Sequence, residues 1–187
     1  MLKRQKPVSS HLQSAVDALV FMAIAQQQGP LALDLMPAGK VVLVADDSDD
    51  DFLLLQRAFR LAKFRHELVR VRNGDAAITY LKGDSPFDDR QRWPFPDLVL
   101  LDEKMPDGSG FDVLRFLREH QMEHPQLRVP AVLLSGSAAP RDVYQALELG
   151  AAEYISKPSG MSELVVMVQT IHHRWLASGS AKRAVAY

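Results

Sequence analysis

Five residues with chemically useful side chains each stand at or just after the end of a short apolar run. They are Asp46 and Asp47 after the first run, Asp102 after the third, Ser135 after the fourth and Lys157 after the fifth. Reactive groups of an open parallel sheet collect outside the carboxyl ends of its strands. If the runs are strands of one such sheet, three carboxylates, one hydroxyl and one amine converge there.

This set of groups suits phosphoryl chemistry on a carboxylate. Three close carboxylates raise each other's pKa unless a cation intervenes, and open oxygen ligands suit Mg²⁺. A carboxylate can itself act as a nucleophile and form an aspartyl phosphate. Lys157 by charge and Ser135 by a hydrogen bond could hold phosphoryl oxygens. Taken singly, each residue type more often caps a helix or a turn, so the prediction depends on their joint occurrence.

The segments around these residues alternate between two patterns. From Lys40 onward, each apolar run is followed by apolar residues at helical spacing, as in Leu55, Ala58 and Phe59. Five such repeats predict a parallel sheet with helices on both faces and right-handed crossovers. The predicted strands are Val41–Ala45, Leu68–Val71, Leu98–Leu101, Val129–Leu134 and Ala152–Ile155.

The second run differs from the other strands. Val69 and Val71 alternate with Arg70 and Arg72, which predicts an edge strand rather than an interior one. Residues 83–96 contain three prolines among charged residues and are predicted to form a surface loop before the third strand.

The chain length and composition limit the alternatives. The 187 residues fit a single domain with extensions: an N-terminal extension over 1–38 with a helix at His11–Gln28, a domain over 39–176 and a tail over 177–187. The net charge of −1 does not favour nucleic acid or an anionic membrane as a partner. The absence of cysteine excludes disulfides and cysteine-ligated zinc.

No apolar run reaches the roughly 18 residues that span a bilayer. Met1–Lys6 is basic and Leu19–Ala25 is apolar, as in a secretory leader, but the apolar stretch is very short and Asp17 stands beside it. We therefore expect the protein to be cytoplasmic.

Four segments together resemble the receiver domains of response regulators, the CheY-like family. They are Val42–Asp47, Asp97–Gly110, Val129–Gly136 and Gly150–Pro158, in the order of the family motifs. The resemblance extends from about Lys40 to Leu176. It implies a flavodoxin-like (βα)5 fold, a three-layer α/β sandwich with parallel strand order 2-1-3-4-5, which would place the arginine-bearing strand at an edge.

The resemblance also implies roles for the acidic residues. Asp102 would accept a phosphoryl group. Asp47 and Asp102 would bind Mg²⁺ directly, with Asp46 acting through water and the backbone carbonyl of Lys104 as a further ligand. The protein would then be a phosphoacceptor switch that catalyses only its own Mg²⁺-dependent phosphorylation and dephosphorylation.

The remaining implied roles concern the conformational switch. Lys157 would pair with the phosphate, Ser135 would turn to hydrogen-bond it, and Tyr154 would swing inward. Two residues depart from the usual family pattern: Ser135 replaces the commoner threonine, and Gly136 replaces the usual alanine and could loosen the loop.

A subgroup of stand-alone regulators, paired with bacterial phytochrome kinases (Rcp1-like), is the most similar. The similarity lies in Asp46–Asp51, the loop 83–96 and Arg174–Leu176. It implies a sensor histidine kinase, of the bacteriophytochrome type, or a histidine phosphotransfer protein as phosphodonor. Only a short tail follows Leu176, so we expect output through contacts with an unidentified downstream protein, without a nucleic-acid or membrane partner. A homodimer is left open.

Other functions fit the sequence less well. A phosphatase with an aspartyl nucleophile usually has a second aspartate two residues later, where this chain has Lys104. A calcium-binding loop that started at Asp46 would need glycine at its sixth position and glutamate at its twelfth, where this chain has Asp51 and Arg57. A dinucleotide-binding enzyme would have G-x-G-x-x-G after the first strand, and this motif is absent there. The adjacent pair His172-His173 cannot face one metal from a helix, and is interpreted as surface or partly packed. The main alternative is a phosphorylation-independent pseudo-receiver that acts as a binding module.

Overall fold

A five-stranded parallel sheet with strand order β2-β1-β3-β4-β5 forms the centre of the protein. The computed structural model describes residues 39–137 and 139–177. The strands are β1 (Val41–Ala45), β2 (Glu67–Val71), β3 (Leu98–Asp102), β4 (Ala131–Ser135) and β5 (Glu153–Ser156). The predicted fold class and strand order are confirmed, and the arginine-bearing β2 lies at an edge of the sheet.

Five helices follow the strands in alternation. They are α1 (Asp49–Leu61), α2 (Gly74–Lys82), α3 (Gly110–His120), α4 (Pro140–Glu148) and α5 (Met161–Ile171), with a 3-10 turn at Pro125–Leu127 and a π-helical turn at His172–Leu176. The side chain of Ser48 caps α1 by accepting a hydrogen bond from the backbone N–H of Asp51. The acidic residues that follow Ser48, Asp49 to Asp51, form the first turn of α1, where negative charge is favourable to the helix dipole.

The two faces of the sheet bury separate apolar clusters, because successive residues of a strand point to opposite sides. Leu43 and Leu101 pack with apolar residues of α2, α3 and α4. Val44 and Leu100 pack on the opposite face with residues of α1 and α5. The result is the predicted three-layer sandwich, which fixes the carboxyl ends of the central strands beside one another.

The predicted start of the fourth strand was two residues too early. Pro130 has no N–H with which to join the ladder, although its carbonyl accepts a hydrogen bond of 2.9 Å from the backbone N–H of Val99. The strand therefore begins at Ala131. The carboxyl end, which carries Ser135, is unaffected by this difference.

The loop 83–96 is ordered by an aromatic cluster. Tyr80, Phe87 and Trp93 pack against one another, and the Tyr80 hydroxyl donates a 2.6 Å hydrogen bond to the Pro94 carbonyl. Burial raises the pKa of Tyr80 to about 12. The loop thereby packs on α2 and away from the carboxyl ends of the strands.

His172 is partly packed, as predicted for the histidine pair. Its Nδ1 lies 2.9 Å from Nε2 of His66, and its ring stacks on Phe64 at 3.8 Å between centroids. The predicted extension over 1–38 and the tail residues 178–187 lie outside the described residues. Within the described part of the chain, no helix has the length and apolarity to cross a bilayer.

Candidate functional site

The strand register places the predicted site residues at the same end of the sheet. Ala45 of β1 pairs with Leu101 of β3, so Asp46 and Asp102 are the next residues along two neighbouring strands. On the other side, Ser135 of β4 pairs with the last residue of β5. The backbone N–H of Lys157 then donates a 2.6 Å hydrogen bond to the Ser135 carbonyl. The sheet thus brings residues from four separate segments to one place.

The ammonium group of Lys157 lies at the centre of this site. Its Nζ is 2.8 Å from Oδ1 of Asp102, 3.1 Å from Oδ2 of Asp46 and 2.7 Å from Oδ2 of Asp51. The side chain of Asp46 is buried, with 7% of its surface exposed, and that of Asp102 is mostly buried, with 13% exposed. Three of the predicted residues therefore form one ion-paired cluster.

The site perturbs the pKa values of its charged groups. Burial raises the pKa of Asp102, the hydrogen bond and charge of Lys157 oppose that rise, and the nearby charges of Asp46 and Asp47 add to it. Burial alone would lower the pKa of Lys157, but hydrogen bonds to Asp102 and Asp51 outweigh it, so the pKa rises above its ordinary value. Lys157 is therefore a permanent cation at neutral pH.

One ammonium does not balance the acidic charge of the site. Asp46, Asp51 and Asp102 contact Lys157, and the exposed Asp47 lies near enough to Asp102 for its charge to raise the pKa of that residue. Among the described residues, no three acidic or histidine side chains are arranged to hold a metal ion. Mg²⁺ usually takes only one or two carboxylates and fills its other positions with water, carbonyl or phosphate oxygens. The site has more carboxylates than ammonium groups, and one of them, Asp47, is exposed to solvent. This arrangement fits a hydrated divalent cation.

Arg70 of β2 fixes the loop that carries Asp46 and Asp47. Its Nε donates a 2.9 Å hydrogen bond to the Asp46 carbonyl, and its guanidinium pairs with Asp49 at 2.5 Å. Hydrogen bonds from Arg70 and Arg72 hold the pKa of Asp49 below its usual value. The acidic loop is thereby attached to the edge strand on one side and to Lys157 on the other.

Ser135 is buried, with 2% of its surface exposed, and its hydroxyl oxygen accepts a 3.0 Å hydrogen bond from the backbone N–H of Ser137. The register pairs Asp102 with Leu134, so Ser135 lies one residue beyond the neighbour of Asp102. Lys104, the other predicted contributor from the segment after β3, is exposed.

Tyr154 connects this region to a residue that sequence reasoning missed. Its hydroxyl lies 2.7 Å from the Ser137 carbonyl and 3.1 Å from Oε2 of Glu103. Glu103 is 7% exposed and directly follows Asp102 in the chain. Like Asp46 and Asp102, Glu103 is a polar residue at the end of a buried strand, and this position is the signal that could have identified it.

Asp51 was also missed as a site residue, because it stands in the first turn of α1 rather than at the end of a strand. Its backbone N–H does donate to the cap Ser48, but its carboxylate reaches Lys157. Asp51 lies four residues after Asp47, in the first turn of α1, and this closeness in sequence is the signal that could have placed it near the site.

Replacing Glu103 by glutamine is expected to lower the pKa of Tyr154. Burial raises that pKa above its ordinary value, the nearby Ser135 lowers it, and the hydrogen bond and charge of Glu103 raise it. Glutamine keeps an acceptor oxygen but removes the charge that opposes the phenolate. A ¹³C NMR titration of labelled tyrosine would measure the change. Glu163→Gln, the same charge change at an exposed residue, should leave the pKa of Tyr154 unaltered. An equal pKa in both variants would contradict the contact.

Comparison with known proteins identifies the family. Residues 42–169 match the model of the response regulator receiver domain. The chain is 33% identical over 138 residues to the response regulator Rcp1 of Synechocystis sp., which covers 73% of this chain and 89% of that protein. The Mn²⁺-bound structure of Rcp1 matches with a TM-score of 0.62 and 32% identity, covering 74% of this chain and 96% of the other.

Two further solved structures are similar over the same domain. Response regulator RPA3017, from red light signalling of R. palustris, has a TM-score of 0.69 and 30% identity, with 76% of this chain and 96% of that chain covered. The phosphorylated cyanobacterial phytochrome response regulator RcpA has a TM-score of 0.64 and 32% identity, with 75% and 96% covered. Family match, fold and strand order agree: the chain belongs to the response regulator receiver domain family of two-component signalling.

Proposed function

We propose that this protein is a single-domain response regulator in which Asp102 accepts a phosphoryl group. The observation that carries this proposal is the contact of 2.8 Å between Nζ of Lys157 and Oδ1 of Asp102 at the carboxyl end of the sheet. A buried carboxylate beside a fixed cation is a nucleophile with a binding group for the oxygens of an incoming phosphoryl group. The match to the phosphorylated regulator RcpA supports the same conclusion.

The phosphoryl transfer needs a donor with a labile phosphorus bond, such as a phosphohistidine. A carboxylate oxygen of Asp102 attacks the phosphorus atom, and the P–N bond of the donor breaks with its electron pair left on the imidazole nitrogen. The product is an acyl phosphate. Its phosphoryl group carries about −1.5 to −2 charges, in place of the single negative charge of the carboxylate, and Lys157 is placed to pair with it.

Mg²⁺ is the proposed cofactor, and it would supply positive charge to the transferring phosphoryl oxygens. Asp47 and Asp102 would hold it directly, Asp46 through water, and the Lys104 carbonyl as a further ligand. The oxygen-only donor set and the surplus of carboxylates over ammonium groups favour a hard divalent cation. The Mn²⁺-bound structure of Rcp1 supports a divalent cation as the cofactor.

The switch follows from the contacts that a phosphoryl group would replace. The Ser135 hydroxyl would exchange its bond to the Ser137 N–H for a phosphoryl oxygen. Movement of that loop would withdraw the Ser137 carbonyl from Tyr154, and the ring would then turn inward. Shifting the ratio of active to inactive conformation from 1:99 to 99:1 needs about 5.5 kcal/mol of differential binding. A charge-assisted pair with Lys157 and one hydrogen bond from Ser135 supply much of this free energy.

The proposed partners follow from the family. The phosphodonor is a sensor histidine kinase, of the phytochrome type by similarity to the red-light regulators, with a histidine phosphotransfer protein as the alternative. Signalling to the downstream protein is by protein contact in the cytoplasm, and self-association through a domain face is one form of it. We propose no nucleic-acid or membrane partner, in line with the net charge of −1.

Incubation with acetyl phosphate and Mg²⁺ should add one phosphoryl group to the protein, as measured by intact mass. The gain should disappear in Asp102→Asn, and it should be retained in Asp107→Asn, a matched change at an exposed aspartate of the same loop. Omitting Mg²⁺ should slow the gain strongly, since unshielded carboxylates repel the donor.

A mass gain that persists in Asp102→Asn would place the acceptor elsewhere and contradict the assignment. If the wild type gains no mass with acetyl phosphate or with phosphorylated kinase, while circular dichroism shows intact secondary structure, the pseudo-receiver alternative is correct.

A further inference from the structure

The three N–H donors of the Lys157 ammonium group are matched by three carboxylates. Asp51 lies at 2.7 Å, Asp102 at 2.8 Å and Asp46 at 3.1 Å. An ammonium group has three donors and no acceptor, so this arrangement leaves no N–H for another acceptor. Phosphorylation converts the Asp102 carboxylate into an acyl phosphate and removes its charge, so the phosphoryl group takes over that N–H and competes with Asp46 and Asp51 for the other two.

The three carboxylates differ in how easily they can release the ammonium. The Asp46 side chain is 7% exposed, and its Oδ1 already accepts a hydrogen bond from the Ser48 N–H. Asp102 is 13% exposed. Asp51 is 42% exposed, so water can solvate its carboxylate when the ion pair breaks, whereas a buried carboxylate would be left unpaired at high cost. Of the two carboxylates that keep their charge after phosphorylation, Asp51 therefore releases the ammonium more easily than Asp46.

We propose that Asp51 is a positioning residue that holds Lys157 in the unphosphorylated protein and competes with the phosphoryl group for its ammonium. This inference rests on the proposed function and adds a regulatory element to the same site. A contact that exists only before phosphorylation favours the resting state by its own strength. Asp51 thus sets how readily the acyl phosphate is bound and how long the active conformation persists.

The inference predicts a gain of binding when the competitor is removed. Asp51→Asn keeps the size and helical position of the side chain but cannot form an ion pair with Lys157. Beryllium fluoride, a non-covalent mimic of the acyl phosphate, should bind this variant about fivefold more tightly than the wild type at a fixed Mg²⁺ concentration, given a charge-assisted bond weakened by partial exposure. Backbone amide NMR at Ser135 and Lys157 would follow the titration.

Asp50→Asn is the matched control, since Asp50 is exposed on the same helical turn and its replacement changes the net charge and the helix terminus equally. It should shift the affinity less than about twofold, by the long-range charge effect alone. In a Lys157→Met background, Asp51→Asn should no longer increase the affinity beyond the Asp50→Asn value, because the contact that it releases is already absent.

Equal affinities of Asp51→Asn and Asp50→Asn, or weaker binding by Asp51→Asn, would overturn the inference while leaving the proposed function intact. So would a gain that persists in the Lys157→Met background, since the effect would not pass through Lys157. A wild type that binds no beryllium fluoride at saturating Mg²⁺ would overturn the proposed function and this inference together. A gain found only with Lys157 present supports the inference.

Discussion

Replacing Lys157 by methionine is expected to lower the free energy of unfolding at pH 7 by roughly 2–3 kcal/mol, because it leaves buried carboxylates without their cation. Asp46 and Asp102 would face each other with only 7% and 13% of their side chains exposed. Methionine preserves the length of the side chain, so lost packing contributes little. Urea denaturation without Mg²⁺ would measure the change. An unaltered free energy of unfolding would mean that the cluster does not stabilise the fold.

Two further measurements separate this charge effect from general damage. Lys63→Met, at an exposed lysine, should change the stability by less than about 0.5 kcal/mol. The loss should also shrink in acid. The pKa of Asp102 is higher in the folded protein than its ordinary value of 3.8. This difference stabilises the fold fully below pH 3.8, and the stabilisation is lost as the pH rises through the pKa of the folded protein. Adding Mg²⁺ should recover more stability in the Lys157→Met variant than in the wild type.

The same variant is expected to keep phosphoryl acceptance at Asp102 but to lose the change at Tyr154. Mg²⁺ would still supply positive charge to the transferring phosphoryl oxygens, whereas the bond of Lys157 to the bound phosphoryl group is made in only one of the two conformations, so its loss removes differential binding between them. NMR signals of Tyr154 and Ser135 should then resemble the unphosphorylated state even when intact mass shows the phosphoryl group. A normal shift of these signals would contradict the coupling role of Lys157.

The strand ends could be predicted because hydrophobic patterning and sheet geometry both act on them. Asp46 follows the buried strand β1 and Asp102 is the last residue of β3, and parallel pairing places both at the same end of the sheet. Lys157 and Ser135 were predictable in the same way. The alternating arginines of β2 likewise predicted its position at an edge of the sheet.

Sequence position could have placed Asp51 and Glu103 near the site, but it could not have identified the side chains that they contact. Asp51 lies in the first turn of α1. The sequence alone does not show that the orientation of α1 brings the Asp51 carboxylate within hydrogen-bonding distance of Lys157. The partner of Glu103 lies 51 residues further along the chain. Whether a polar residue after a strand turns toward the site or toward a neighbouring loop depends on backbone geometry, which residue types alone do not specify.

A methyl group added at Gly110 is expected to destabilise the fold and to impair phosphorylation together. The Cβ of an alanine there would lie 2.5 Å from the carbonyl oxygen of Asp102 and 2.6 Å from Cδ1 of the buried Leu133. Both distances are far below van der Waals contact, so the backbone that presents Asp102 must move. Overpacking of this kind costs about 1–3 kcal/mol, and we expect Gly110→Ala at the upper end of that range.

Gly136→Ala provides the control, because a Cβ at Gly136 meets no atom within 4 Å. Its stability should stay equal or rise by about 0.4–1 kcal/mol, since alanine restricts the unfolded chain. Urea denaturation and the initial rate of mass gain with acetyl phosphate would be measured for both variants. Displacement of Asp102 by even a fraction of an ångström disturbs the attack geometry, so Gly110→Ala should lose at least about tenfold in rate even at temperatures where it is fully folded. A folded Gly110→Ala variant with the wild-type rate would show that the close approach of Gly110 fixes the helix but not the acceptor.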